Sequence, residues 1–559
     1  MSELKTSEST NTDISAPKKN YGAVFIYLLF FVLLVFTISQ KLYFHPNENS
    51  SYILANKNAD VIFGDNGDAA FQYHIPIDYT NCNYASFTAP VKEECFDYAG
   101  VWKRQAQDTH PPLYYALLHT MCSFFPGTFS KWYAGIINIV FALLTLFAVR
   151  KIIRLYTDDR LIISAISLVV VLSSAVLNAS AFLRMYVMAM FWITLETYLF
   201  AKQAEEQKIS QKFCAKIFTV SLVGALTHYY CAFYAALLSA VFATQLIYEK
   251  KLKDAVRLII SQISAAIMFV IIFPASIQHI FFGARGAESF ANAADMSDYL
   301  ERFGLCWQIL CRQLFGGMLL IILAAMLYFY VKDAMQKKSS SAEENGQNIL
   351  PSATLSRKSL TAIFVPIVIY FMIIAKTAHI QKPYDFFEAS FSRYLHPVYA
   401  VLLTSVLVCL FVKLKEKLSA YSAKCVILFT AFLIILGSWF FTDWNMDFLY
   451  RSHTSNIAVD RAYSGADCVC ITSIGINFTE AFELSEHKNM AVLLVNFDMK
   501  QLRKFTFGNQ LVICIEAPGA NTDQIMAQIM QYLPEFRISM QRSLFFPLGS
   551  KYYLDRVAM

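Results

Sequence analysis

The chain has 559 residues, of which 56% are hydrophobic and only 16% charged, with a net charge of +6. Soluble domains carry about 25% charged residues, so this balance excludes one large soluble core and predicts a polytopic membrane protein. A Gly-rich phosphate loop and a CxxC pair are both absent, which removes support for nucleoside-triphosphate and zinc-finger readings. The bases sit in short loops and bear on orientation rather than on nucleic acid.

Residues 1–20 are polar, end in Lys18-Lys19, and predict a disordered cytoplasmic tail. "YGAVFIYLLFFVLLVFTISQ" follows. At 1.5 Å per residue it is long enough to cross about 30 Å of hydrocarbon. It lacks a small-residue cleavage site, so it reads as a signal-anchor with its N-terminus in the cytoplasm. A polar first outer loop is expected over 41–131. Cys82 and Cys95 lie in it and are a candidate disulfide.

That loop closes on "QDTHPPLYYALLHT", residues 107–120, an acid, a histidine and Pro-Pro ahead of an aromatic run. Prolines suit the first turn of a helix, and Pro111 restricts the residue before it. The stretch therefore predicts a held helix start with Asp108 and His110 just outside. Asp108 as a cap of that helix is the plain alternative.

Apolar segments then recur, with roughly eleven spans in all. One runs without a break over 161–177 and leads to "FLRMY". Two meet at "THYY". Second and third outer loops fall at 283–312 and 376–397. Arg150, Lys151, Lys250, Lys251, Lys253, Lys337, Lys338, Lys413, Lys415 and Lys417 occupy the alternate loops, a positive-inside pattern. Residues 442–559 change character. "ADCVCITSI", "MAVLLVNF", "QLVICIEA" and "SKYYLDRV" read as strands, and "NTDQIMAQIMQYL" as an amphipathic helix. The tail predicts a small α/β extracytoplasmic domain, a cap or a docking surface.

Polar residues gather at the outer ends of spans: Asp65, Asp68, Asp108 and His110, then Arg184 and Tyr186, then His228 and Tyr229, then Lys382, Arg393, Tyr394 and His396. Ionisable groups beside apolar segments are expensive to keep and usually functional.

"DTHPPLYY" resembles the Asp-x-His-Pro-Pro-Leu motif of protein O-mannosyltransferases. The 20–410 region resembles the bacterial glycosyltransferases of that clan, which includes the aminoarabinose transferases acting on lipid A. Members carry an Asp-Glu pair soon after the first span, the His-Pro-Pro motif, an Arg-x-Tyr-like element and a late Arg-Tyr. "GDAAFQY", "DTHPPLYY", "RMY" and "SRYLHP" stand here in that order. The Asp-Glu pair becomes Asp68-Ala69 or Asp65-Asn66, with the Glu missing.

The resemblance implies a GT-C transmembrane domain over 21–441 and an outer domain over 442–559, in a bacterial plasma membrane. It also implies transfer of a sugar from a polyprenyl-phosphate donor to a hydroxyl of a protein, lipid or glycan, inverting in one displacement. A carboxylate that takes the hydroxyl proton suits this chemistry. Asp68 is the first choice, Asp65 the second, with Asp108 and His110 orienting acceptor or base. Arginine suits the leaving phosphate. Arg393 is the first choice, with Arg184 and Lys382 as alternatives and Tyr394, His228 and Tyr229 as further contacts. "GDNGD" resembles a calcium-binding turn but has too few ligands near it, so no metal is assigned and a divalent cation stays open. The competing readings are a flippase for lipid-linked sugars, which predicts ionisable groups at mid-membrane, and an inactive glycolipid binder.

Overall fold

The computed structural model describes residues 21–41, 43–57, 84–206, 208–340, 357–378, 392–444, 446–449, 457–472, 487, 489–495, 497–517, 519–544 and 549–557. The expected tail 1–20, Asp65, Asp68, Cys82 and Lys382 lie outside these residues.

The first apolar run forms helix α1 (Tyr21–Ser39). The first loop folds into α2 (Pro46–Asn56), α3 (Tyr98–Gln107) and α4 (Leu113–Ser123). The bundle continues with α5 (Lys131–Tyr156), α6 (Arg160–Leu172), α7 (Ser174–Ala181), α8 (Tyr186–Ala204), α9 (Gln211–Thr227), α10 (Tyr229–Tyr248) and α11 (Leu252–Ile272). The second loop carries α12 (Ala284–Ala294) and α13 (Tyr299–Ile309). Then come α14 (Leu319–Ser340), α15 (Arg357–Thr377), α16 (Tyr399–Lys417) and α17 (Ala420–Phe440).

Among the described residues, 7 helices are long and apolar enough to cross a membrane: α1, α5, α10, α11, α14, α16 with the turn before it, and α17. The bent pair α6–α7 makes an eighth if counted as one span. Helices α8, α9 and α15, also expected as spans, pack within the same bundle. The chain is a multi-pass integral membrane protein. At one end of the bundle the basic loops meet, where Lys415 pairs with Asp159, and Lys413 and Lys417 with Asp333.

The continuous span expected over 161–177 is broken at Ser173, with a bend of 48°. A break frees backbone groups that need new partners. Helix α17 supplies them. Trp439 Nε1 donates to Leu172 O at 2.9 Å, and the Ser174 N–H donates to Ser438 Oγ at 3.3 Å; the Ser174 hydroxyl adds a bond to Ser438 O at 2.7 Å. Close packing beside this contact rests on two glycines. A Cβ on Gly316, whose φ is +56°, would lie 2.4 Å from Ile434 O, and one on Gly437 would lie 2.2 Å from Gly316 O.

The tail starts with α18 (Ile457–Ala462) and forms a five-stranded sheet: β1 (Asp467–Thr472), β2 (Met490–Leu494), β3 (Gln510–Glu516), β4 (Phe536–Ser543) and β5 (Gly549–Arg556). Strand order is β2-β1-β3-β5-β4. The pairs of β1 are parallel, and those of β5 antiparallel. One face (Val469, Ile471, Ile513, Ile515) packs with helix α19 (Thr522–Met530). The other (Cys468, Cys470, Cys514, Tyr553) joins the apolar cluster of α1 and the first loop. Strand β4, "FRISMQRS", is not among the strands the sequence predicts. It is an edge strand, polar, mostly exposed, and irregular between Ile538 and Met540, so it lacks an alternating apolar pattern.

Candidate active site

Helix α3 ends at Gln107, and the Asp108 N–H bonds back to Arg104 O at 3.1 Å. Pro112 stands directly before α4. The carboxylate of Asp108 does not cap α4. Its Oδ2 takes the Nδ1 proton of His110 at 2.8 Å. The peptide carrying this pair is pinned on several sides. Arg104 donates to Leu54 O and Ala55 O at 2.8 and 2.7 Å. Trp102 Nε1 donates to Ile272 O at 3.2 Å, and His279 Nε2 donates to Ala106 O at 3.0 Å.

Burial pushes the His110 imidazole below its ordinary value. The Arg184 and Arg285 charges push the same way, against the pull of Asp108. For Asp108, burial works upward, but His110, the Thr109 N–H and Arg184 outweigh it and hold the carboxyl below its usual range. At neutral pH the pair is therefore a carboxylate and a neutral imidazole.

Arg184 sits in the turn between α7 and α8. Its Nη2 donates to Tyr115 OH at 3.0 Å, and its buried Nε finds no partner. The turn is held by Glu48. Oε1 accepts the Leu183 N–H at 2.6 Å, while Oε2 accepts the His45 N–H at 2.7 Å and pairs with Lys41 at 3.0 Å. Lys41 Nζ in turn donates to Phe448 O at 2.6 Å. Arg393 donates to Tyr394 OH at 2.9 Å and lies 4.9 Å from that ring, and its Nε also lacks a partner.

The two arginines lie near each other, and both charges act on His45 and Tyr186. After burial, their charges are the largest influences holding His45 well below the usual imidazole value. Tyr186 stacks on Phe182 at 5.5 Å and meets the rings of His228 and His396 at 5.3 and 6.0 Å. His228 lies 6.1 Å from His110. Among the described residues, no carboxylate pairs with Arg184 or Arg393 at salt-bridge distance.

The structure thus brings together Asp108, His110, Arg184, His228, Arg393 and Tyr394. Tyr229 points elsewhere, since its hydroxyl donates to His279 Nδ1 at 2.8 Å. Asp65, Asp68 and Lys382 lie outside the described residues. Cys95 carries a thiol whose Sγ donates to Val91 O at 3.4 Å; its candidate disulfide partner Cys82 lies outside the described residues. No group of three His, Cys, Asp or Glu fit to hold a metal occurs among the described residues.

Glu48, Lys41 and His45 are not among the site residues the sequence predicts. One cue is present: "HPNEN" lies five residues after the first span, and Asn47-Glu48 offers a third placement of the Asp-Glu pair of the clan the sequence resembles, with the Glu kept and an amide in the acid's position.

Comparison with solved structures bears on the architecture. ArnT from Cupriavidus metallidurans bound to undecaprenyl phosphate aligns over 97% of this chain and 99% of that one, with a TM-score of 0.53 at 11% identity. The chain has the GT-C fold. The same enzyme in the apo state gives 0.48 at 12% identity over 96% of this chain and 97% of that one. The archaeal oligosaccharyltransferase AglB from Archaeoglobus fulgidus, with an inhibitory peptide and a dolichol-phosphate, gives 0.43 at 10% over 89% and 70%. No family model and no curated protein matches the chain.

Proposed function

We propose that the chain is a membrane glycosyltransferase that moves a hexosyl or pentosyl group from a polyprenyl-phosphate donor to a hydroxyl acceptor. The single observation that carries this reading is the Arg184–Arg393 pair: two guanidiniums, one buried and one half-buried, lie near each other with tyrosine hydroxyls beside them and no described carboxylate at salt-bridge distance. Uncompensated buried charge is costly, and a phosphate ester is the natural counter-ion for planar guanidinium donors. The fold adds support, because ArnT was solved with undecaprenyl phosphate. Fold by itself does not assign an activity, so the site carries the argument.

The acceptor oxygen attacks the anomeric carbon. The carbon–oxygen bond to phosphate breaks, and polyprenyl phosphate departs with the bonding pair. Arg184 and Arg393 stabilise the charge that grows on the leaving oxygen. One displacement inverts the centre. The hydroxyl proton goes to a base in the first loop, where Asp65, Asp68 and the Asp108–His110 pair stand. In this reading the N-terminus is cytoplasmic, and the site and sheet face outward from a bacterial plasma membrane. The acceptor is a glycan, lipid or protein hydroxyl.

The test uses the full chain in detergent with undecaprenyl-phosphate-linked mannose, glucose, galactose and arabinose, following release of undecaprenyl phosphate. Release from one donor that collapses in Arg393→Ala and Arg184→Ala, with the proteins folded, supports the reading. Donor binding with no release from any of them overturns it in favour of a glycolipid binder or flippase.

A further inference from the structure

Resting on that reading, we infer that His110 is the general base of the transfer, with Asp108 the residue that positions it. The hydroxyl proton then goes to an imidazole held by a carboxylate, not to a lone acid.

The tautomer follows from geometry. The Asp108 carboxylate only accepts, so His110 Nδ1 carries the proton at 2.8 Å and Nε2 keeps its lone pair. Nε2 has no hydrogen-bond partner among the described residues, and the His110 side chain keeps 24% of its surface exposed. The neighbouring imidazoles are committed. His228 is nearly buried and its Nδ1 caps α10, His279 uses both nitrogens, and His396 is fully buried.

Glu48, a described carboxylate near Arg184, is committed too. Glu48 accepts two backbone N–H groups and pairs with Lys41, so neither oxygen is left for a substrate proton. Asn47 beside it is an amide and cannot serve as a base.

Position agrees with this role. Tyr115 lies 6.4 Å from the His110 ring, and its hydroxyl accepts from Arg184. The proton acceptor and a phosphate-binding guanidinium thus both neighbour one tyrosine. An acceptor from water reaches the exposed imidazole. The groups facing that imidazole are Asp108, Thr109, Tyr115, His228, Arg184 and Arg285.

The balance is complete without a further reactant. The acceptor O–H proton passes to Nε2. The oxygen bonds the anomeric carbon as the bond to phosphate breaks, and the electron pair leaves on polyprenyl phosphate. The imidazolium, stabilised by Asp108, returns its proton to water after release.

The experiment measures undecaprenyl phosphate release from the active donor, with n-octyl glucoside supplying the hydroxyl, and separately the binding of undecaprenyl phosphate. A positioned base contributes roughly 10²–10⁴-fold. His110→Gln is expected to lower kcat by at least about a hundredfold with undecaprenyl phosphate affinity unchanged. His110→Ala is expected to regain turnover when free imidazole is added, which a structural role would not allow. Asp108→Asn removes the charge that lifts the His110 value, so the acid limb of its kcat profile moves to lower pH, and Asp108→Glu restores part of the rate. Wild-type kcat retained within threefold in His110→Gln overturns the inference while leaving the transferase reading in place. Wild type that releases nothing from any donor brings down both.

Discussion

Arg542 in the sheet, with a side chain 9% exposed, and Arg184 at the site, 4% exposed, differ in what answers their charge. Arg542 Nη2 meets both oxygens of Asp460 at 3.0 Å, and Lys551 meets the same carboxylate at 2.9 Å. The Tyr553 hydroxyl completes the cluster, accepting from Arg542 Nε at 2.7 Å and donating to Asp460. Arg184 has one tyrosine oxygen and an orphaned Nε. Desolvating an ion costs several kcal/mol, so a charge with its counter-ion built in belongs to the architecture, and one without it waits for a substrate. The same end of the molecule holds both kinds, and experiments can separate them.

The largest expected effect is in the sheet. Asp460→Ala leaves buried Lys551 and largely covered Arg542 uncompensated and should destabilise the tail by about 3–5 kcal/mol. Thermal unfolding and hydrogen exchange of the full chain would read this, with undecaprenyl phosphate affinity of the folded fraction unchanged. If the variant melts like wild type, the contrast between the two arginines fails.

Next come the site cations. Arg184→Ala and Arg393→Ala should each weaken undecaprenyl phosphate binding by about 1.5–3 kcal/mol, roughly 10- to 150-fold, the range for charge-assisted hydrogen bonds. Ligand-free melting should stay near wild type, because each variant gives up a single hydrogen bond to a tyrosine hydroxyl and removes a charge with no carboxylate at salt-bridge distance among the described residues. Arg393→Lys should recover only part of the affinity, since an ammonium lacks the planar fork. An unchanged dissociation constant in all three would remove the anion pocket.

A pH titration sharpens the comparison further. Burial raises the Asp460 carboxyl, but Lys551 and Arg542 outweigh it and hold the group below its ordinary value of 3.8. A depressed carboxylate stabilises fully above its unfolded value and loses that contribution as pH falls through the lower folded one. Exchange protection of β5 should therefore drop below about pH 4, and Asp460→Asn should flatten that dependence. The smallest effect is expected at Gly316→Ala. A methyl meeting Ile434 O at 2.4 Å, on a residue with positive φ, should cost about 1–3 kcal/mol and lower the melting temperature by a few degrees.

What could be read from the chain follows sequence distance. Asp108 and His110 lie two residues apart before a rigid Pro-Pro, so their pairing is local and legible. The apolar runs and four of the strands carry their own periodicity. Glu48 reaches Leu183 across 135 positions, and Ser174 reaches Ser438 across 264, so neither the tether of Arg184 nor the break at Ser173 has a local signature. Strand β4 is legible only through β5, which it borders.

The Lys41–Glu48 ion pair has a consequence for how this protein can be re-engineered. Its acid holds the Leu183 peptide and its base holds the Phe448 carbonyl, while Asn178 of α7 receives the Phe448 N–H at 2.9 Å and Phe448 stacks on Phe182 at 4.0 Å. Residues 446–449 therefore brace the turn that carries Arg184, although they follow the last helix of the bundle. A chimera that takes its tail from a relative should keep the native chain through Leu449. A junction at the end of α17, where composition changes, would remove that brace.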